Sequence, residues 1–328
     1  MTTHVVALGY QSNWWVILTS PFMRNALIGG TIVALAAGLI GYFIIVRHTA
    51  FATHALAHIG LPGATGAVLV GLPVGVGLGI FCVGGALVIG VLGKRAADRE
   101  VATGTVLAMA TGLGLFFNSL ATKSSSTMTN VLFGNLLAIS HEQLLTFAGL
   151  LVVLAVSIGF IYRPLLFSSV NAPVAEAKGL PVRALSIIFM TLLGLTVTMA
   201  VQAVGTLLLF ALVVTPAATA IMLTPRPVMA MVVSTVISVV SVWTGLAASA
   251  MFNMPPSFLI VTIACTVWLV VWLADRRVRA TAKGLDQPGS TSRSERPASI
   301  WRRRRGGPPT PTPSPAESPP TSSDSDTR

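Results

Sequence analysis

Charge is scarce in this sequence. Only 9% of its 328 residues are Asp, Glu, Lys or Arg, against roughly 25% in an average soluble domain. Acid is scarcest, with 10 Asp and Glu against 21 Lys and Arg. Asp98, Glu100, Glu142 and Glu176 fall near the ends of apolar runs or between them. A carrier driven by an ion gradient would hold such acids within its membrane segments, so that reading is disfavoured. Cysteine is nearly absent. Cys82 and Cys265 lie far apart inside apolar runs, and no CxxC pair exists, which excludes a thiolate metal centre or a dithiol redox motif. The phosphate-binding loop G-x-x-x-x-G-K-[ST] is missing, as is HExxH. The five histidines are too few and too scattered for the histidine boxes of a membrane oxygenase. No nucleophile constellation is visible either, so the chain reads as a non-enzyme. The first residues lack a basic region and a cleavage site, and the early helices are expected to act as uncleaved insertion signals.

What is present is hydrophobicity. Apolar residues make up 53% of the chain and the mean hydropathy is +0.80. No soluble core of this size could hide so much apolar surface. A spanning helix needs about 20 mostly apolar residues to cross roughly 30 Å of hydrocarbon. Nine runs meet that length, at 25–46, 53–71, 73–93, 101–121, 143–163, 184–201, 204–223, 228–252 and 257–274. The expected fold class is therefore all-α, a polytopic bundle of eight to ten spans. Residues 1–24 form an N-terminal segment and 25–279 the membrane domain. From 280 to 328, Pro, Ser, Thr and Arg dominate, which reads as a disordered tail.

The net charge of +11 sits in the breaks between runs and in the tail, where Arg302–Arg305 cluster. That distribution fits cytoplasmic loops and anionic lipid headgroups, not nucleic acid. Lys94, Arg95 and Arg99 mark one basic break, and Arg163, Lys178 and Arg183 a second. Arg226 marks a third, and Arg276, Arg277 and Arg279 a fourth. The connections after Gly71, Val201 and Phe252 have no basic residue. The expected arrangement puts the C-terminus in the cytoplasm of a multi-pass cell-membrane protein, and the N-terminus outside if all nine runs span. Trp14 and Trp15 are expected at a membrane interface.

Three stretches could carry chemistry. In the first, His54 and His58 are four residues apart, on one face of a helix. Ionisable groups inside a membrane usually face a cavity or one another. Two imidazoles at this spacing can share a transition-metal ion, or can be two interior hydrogen-bonding groups. Pro62-Gly63 just beyond predicts a kink or break. The second stretch is polar, with Pro173 able to start a short helix and Gly179 to end it. Such a helix between two spans, including Glu176 and Ala177, could be gripped by a motor subunit or be an ordinary solvated loop. In the third, Pro216 lies inside an apolar run followed by small residues, which predicts a kink. Such breaks recur beside transport pathways.

Taken in order, these segments resemble one family, the permease subunits of zinc and manganese ABC importers. The family pattern runs Arg, two or three residues, Phe-Leu-Gly-Asp-Ala-Leu-Ser-His, then Leu-Pro-Gly. It is matched at Arg47, Phe51, Ala55, Leu56, His58, Leu61, Pro62 and Gly63. Glu100–Gly104, Leu132-Phe-Gly134, Ala175-Glu-Ala-Lys-Gly179 and Val204-Gly205 through Pro216-Ala-Ala resemble further family segments. The resemblance covers roughly residues 21–275 and implies a type II ABC importer permease. It also implies a homodimer around a central pathway, an ATP-binding subunit beneath each half, and an extracellular metal-binding protein. His58 takes the place of the family's pathway histidine, and His54 stands where aspartate is usual. The expected cargo is Zn²⁺, since a nitrogen ligand replaces a hard carboxylate, with no cofactor resident in this chain. Manganese or iron import is the alternative. A siderophore- or cobalamin-type permease and a secondary carrier are more distant ones.

Overall fold

In the computed structural model, residues 14–92, 96–120 and 124–285 are described. The side chains of Trp14, Trp15, Lys94, Arg95 and Arg99, and the tail beyond 285, lie outside what is described. Among the described residues every regular element is helical. The order is α1 (Trp14–Leu18), α2 (Pro21–Val46), α3 (Ala50–Val70), α4 (Val74–Leu92), α5 (Ala96–Leu120) and α6 (Ser124–Phe133). A 3₁₀ turn at Leu136–Ala138 follows, then α7 (His141–Val170), α8 (Ala172–Ala177), α9 (Val182–Val204), α10 (Thr206–Leu223), α11 (Pro227–Phe252) and α12 (Pro256–Leu285).

Each of the nine expected spans coincides with one long helix. Eight are long and apolar enough to cross a membrane, and α3 is not among them. Local signals set many of the ends. Pro21 and Pro227 open α2 and α11, where the missing N–H costs nothing. Ser140 and Gln143 cap α7 reciprocally. Gly71, left-handed at φ 76°, closes α3. The boundaries differ from expectation at several ends, with α3 starting at Ala50 instead of 53 and α5 at Ala96 instead of 101. α2 starts at Pro21 instead of residue 25. α7 runs through Pro164 to Val170 rather than stopping at Arg163. α12 continues to Leu285 although the compact unit ends at Arg279.

In lipid, helices associate through close packing because water supplies no drive, and small residues permit that approach. On α2, Gly30 faces Val242, Gly38 faces Thr235, and Gly41 faces Ala217, all on α11 or α10. Gly63 of α3 meets the backbone of Gly77 on α4, and Gly194 of α9 meets the Cys82 carbonyl on α4. These contacts set the register. α2 and α11 run antiparallel, as do α3 and α4, and α4 and α9. One end of the bundle thereby gathers Arg47, α8, Arg183, Arg226, Arg276 and Arg277.

One junction uses backbone that only glycine adopts easily. Gly134 ends α6 at φ 73° and Gly205 separates α9 from α10 at φ 90°, ψ 165°. Each lies against the other's backbone, and a Cβ on Gly134 would stand 2.6 Å from the Ala203 carbonyl oxygen. Gly205→Ala is expected to cost about 1–3 kcal/mol from its backbone conformation alone, with the clash added. Gly104→Ala and Gly112→Ala, whose Cβ positions face open space, should be tolerated. Monodispersity and thermal unfolding of the detergent-solubilised variants check this.

Candidate metal site

Helix periodicity places His54 above Phe51 and His58 above His54 on one face of α3. The two imidazole centroids are 4.8 Å apart with planes inclined at 71°. Both rings are half-buried, while Ala52, Thr53, Ala55, Leu56, Ala57 and Ile59 on the other faces are buried. Phe51 is 46% exposed. The open strip of α3 is thus Phe51, His54 and His58. Toward the far end, Pro62 and Gly66 would extend it, but Gly114 and Phe117 of α5 cover them. The edge of His54 also meets Phe210 on α10, with centroids 6.2 Å apart at 85°.

Packing contacts fix the depth of the pair. Leu56 lies between the histidines, and its carbonyl accepts from Cys82 Sγ at 3.4 Å. The Cys82 carbonyl in turn abuts Gly194, the middle of the 23-residue α9. A helix of that length is about 35 Å long, close to the hydrocarbon thickness. The imidazoles therefore sit near mid-depth of the bundle.

The expected kink residues lie in unbroken helices. α3 runs through Pro62-Gly63 and α10 through Pro216, so a break is not seen at either. Proline still acts there chemically. With no N–H at Pro62, the His58 carbonyl lacks its usual donor four residues on; helical geometry points that carbonyl toward Pro62, which is buried against Gly114 of α5, and the imidazole back toward the N-terminus. Among the described residues, no group of three or more His, Cys, Asp and Glu could hold a metal. One chain supplies two nitrogens, and a complete shell needs water, backbone oxygen or another chain.

The second predicted stretch forms the short helix α8. Asn171 caps it by accepting from the Val174 N–H at 3.2 Å, and Pro173 sits in its first turn. Gly179 at φ 79° closes it, with Leu180 N–H donating to Ala175 and Gly179 N–H to Glu176, the paired bonds of a Schellman cap. Glu176 and Ala177 are exposed, and Ala175 is buried beneath them. α8 is a small amphipathic helix at the basic end of the bundle.

A separate cavity of ≈ 970 Å³ opens between α4, α7 and α9 at the opposite end, with Asn135, Gln143 and Gln202 among its lining. Neither histidine borders it. Sequence reasoning singled out neither Phe210 nor the surroundings of Arg47. Phe51 belongs to the family pattern already matched in sequence and lies three residues before His54, but Phe210 reaches the site only through the tertiary fold.

Comparison with known proteins follows the same residues. A family model described as the ABC 3 transport family matches residues 19–275. The manganese transport system membrane protein MntC of Listeria monocytogenes is 33% identical over 254 residues, covering 77% of this chain and 90% of the relative. The manganese import system permease protein ScaB of Streptococcus gordonii is 29% identical, covering 76% and 90%. Among solved structures, PsaBC from Streptococcus pneumoniae in complex with Fab superposes with a TM-score of 0.71 at 28% identity, over 80% of this chain and 95% of that one.

If the open strip of α3 faces water, single cysteines there should be reachable. In a background carrying Cys82→Ala and Cys265→Ser, His54→Cys and His58→Cys are expected to react with a water-soluble thiol reagent. Ala55→Cys and Ala57→Cys, on buried faces, should stay unmodified. Labelling followed by mass spectrometry reads the result, and unreactive 54 and 58 would put hydrocarbon against that face.

Proposed function

The chain belongs to the ABC 3 transport family and is a permease subunit of a divalent-metal ABC importer; on that premise we propose that its cargo is Mn²⁺, passed along α3 by His54 and His58. The observation that carries this reading is the pair of half-buried imidazoles, 4.8 Å apart, at mid-depth of the bundle. Zinc was the first expectation from sequence. The relatives named above are manganese systems, which supports the alternative instead. A zinc reading keeps one specific observation in its favour, the imidazole of His54 where the family has a carboxylate.

In the proposed mechanism, an external metal-binding protein delivers the ion and two copies of this chain enclose the pathway. The copies meet so that both histidine pairs contribute ligands, completing a shell that one chain leaves unfilled. Each imidazole replaces a water of the hydrated ion, and binding stays weak enough for release. ATP is hydrolysed in a partner subunit that grips α8. The basic end of the bundle faces the cytoplasm, which puts α8 and the C-terminus on the ATPase side.

The test is metal uptake by proteoliposomes containing the permease with its ATPase subunit and binding protein. His54→Ala and His58→Ala are each expected to lower Mn²⁺ uptake by about 10- to 100-fold, the scale on which even outer-shell changes act. His54→Asp should relieve the inhibition of Mn²⁺ uptake by added Zn²⁺. Unchanged rate and KM in both alanine variants would remove the ligand assignment. Acidification should lower uptake in the wild type, because a protonated imidazole has no lone pair to offer. The loss should deepen as pH falls and reverse on neutralisation.

A further inference from the structure

Between α8 and the histidines lies a chain of contacts centred on Arg47. The residue ends α2, three positions before α3 begins. Its Nη1 donates to Ser169 Oγ at 3.1 Å and to Ser168 Oγ at 3.3 Å. Both serine hydroxyls donate onward to the Leu165 carbonyl, which leaves their oxygen lone pairs for the guanidinium. The guanidinium carbon also stands 5.2 Å from the Phe189 ring centroid on α9, within cation–π range. Arg47 thus grips the last turn of α7 and the second turn of α9, the two helices on either side of α8.

The contacts on each side of Arg47 are stiff. Toward α8, Asn171 is at once the last cap of α7 and the first cap of α8, with no linker between them. Lys178, at the other end of α8, lies 5.3 Å over the Phe167 ring beside Ser168. A displacement of α8 therefore carries Ser168 and Ser169 with it. Toward α3, Thr49 N–H donates to Ile44 at 2.9 Å and His48 N–H to Ile45 at 3.1 Å. That is a Schellman cap built on His48 at φ 53°. Thr49 then starts α3 by accepting from Thr53 N–H at 2.9 Å, one residue before His54.

We infer that Arg47 is a positioning residue that transmits the stroke of the ATPase from α8 to the histidine face of α3. The inference rests on the importer reading. A residue of this kind touches neither metal nor nucleotide, and its loss separates hydrolysis from transport. An arginine that merely held the bundle together would instead lower assembly, hydrolysis and transport in step.

The experiment compares wild type, Arg47→Met, Arg47→Lys and the double variant Ser168→Ala/Ser169→Ala in the reconstituted complex, with Mn²⁺ as the probe. Co-purification of the ATPase subunit, ATP turnover and Mn²⁺ uptake are measured on the same vesicles. The expected result is ATP turnover near wild type, with Mn²⁺ moved per ATP hydrolysed reduced at least about fivefold, the lower end of typical coupling between sites. Arg47→Lys, which keeps the charge and one donor, should fall between Arg47→Met and wild type. The serine double variant should uncouple in the same direction while leaving Arg47 in place. An unchanged ratio in both Arg47→Met and the double variant overturns the inference. So does a proportional fall of turnover and uptake in the double variant. A wild-type complex that moves no Mn²⁺ or Zn²⁺ overturns the importer reading itself, and Arg47 with it.

Discussion

Imidazole rings held at mid-depth in hydrocarbon are the constraint around which the bundle is organised. A group that can ionise is costly there unless it faces water, a partner or another polar group. α3 meets this constraint by withdrawing from lipid. It is the one long span missing from the eight that are apolar enough to cross a membrane by composition, and α4, α5 and α10 pack around it. Other helices present the lipid-facing surface instead. Leu145 and Phe160 of α7 are 76% and 84% exposed, and α12 is buried over little of its length. A polar helix can persist in a membrane because apolar ones surround it, and the face left open is the one bearing the histidines.

Enclosing α3 so tightly depends on how closely its neighbours approach. Glycine carries that burden at Gly63 against Gly77 and at Gly194 against the Cys82 carbonyl. The same contacts lock α3, α4 and α9 in register, so the depth of His54 and His58 is set by backbone-to-backbone packing and not by the histidines. Gly134 and Gly205 extend the principle to the far end, where two sequence segments recognised separately by family resemblance turn out to touch. Each needs glycine because the other occupies the space a side chain would take.

Much of this was legible in order along the chain. The nine apolar runs, the stacking of His54 on His58 and the start and stop signals at Pro173 and Gly179 are local features, and the structure shows helices at each. α6 was not legible, because Ser124–Phe133 is short and polar and has no apolar periodicity to betray it. The run ending at Arg163 stopped short because charge there reads as a break, yet α7 continues through Pro164. Proline in a spanning helix can be carried through when neighbours re-satisfy the freed backbone, and α7 is held beyond it by Leu165, buried, and by Ser168 and Ser169 bound to Arg47. The company of Arg47 and the contact between His54 and Phe210 span more than 100 residues of chain. No spacing rule reaches that far.

The choice of metal turns on a departure that sequence and structure weigh differently. Counted by ligand type alone, an imidazole in place of carboxylate argues for the softer ion. Each chain offers two ring nitrogens, and the rest of an ion's shell must come from elsewhere. Selectivity in transport also follows from how readily a site gives up the ion. Nitrogen ligands hold zinc more firmly than manganese along the Irving–Williams series, so a site rich in imidazole would retain zinc where it releases manganese. On that argument His54 is compatible with manganese import, and it makes zinc the natural inhibitor of the same pathway.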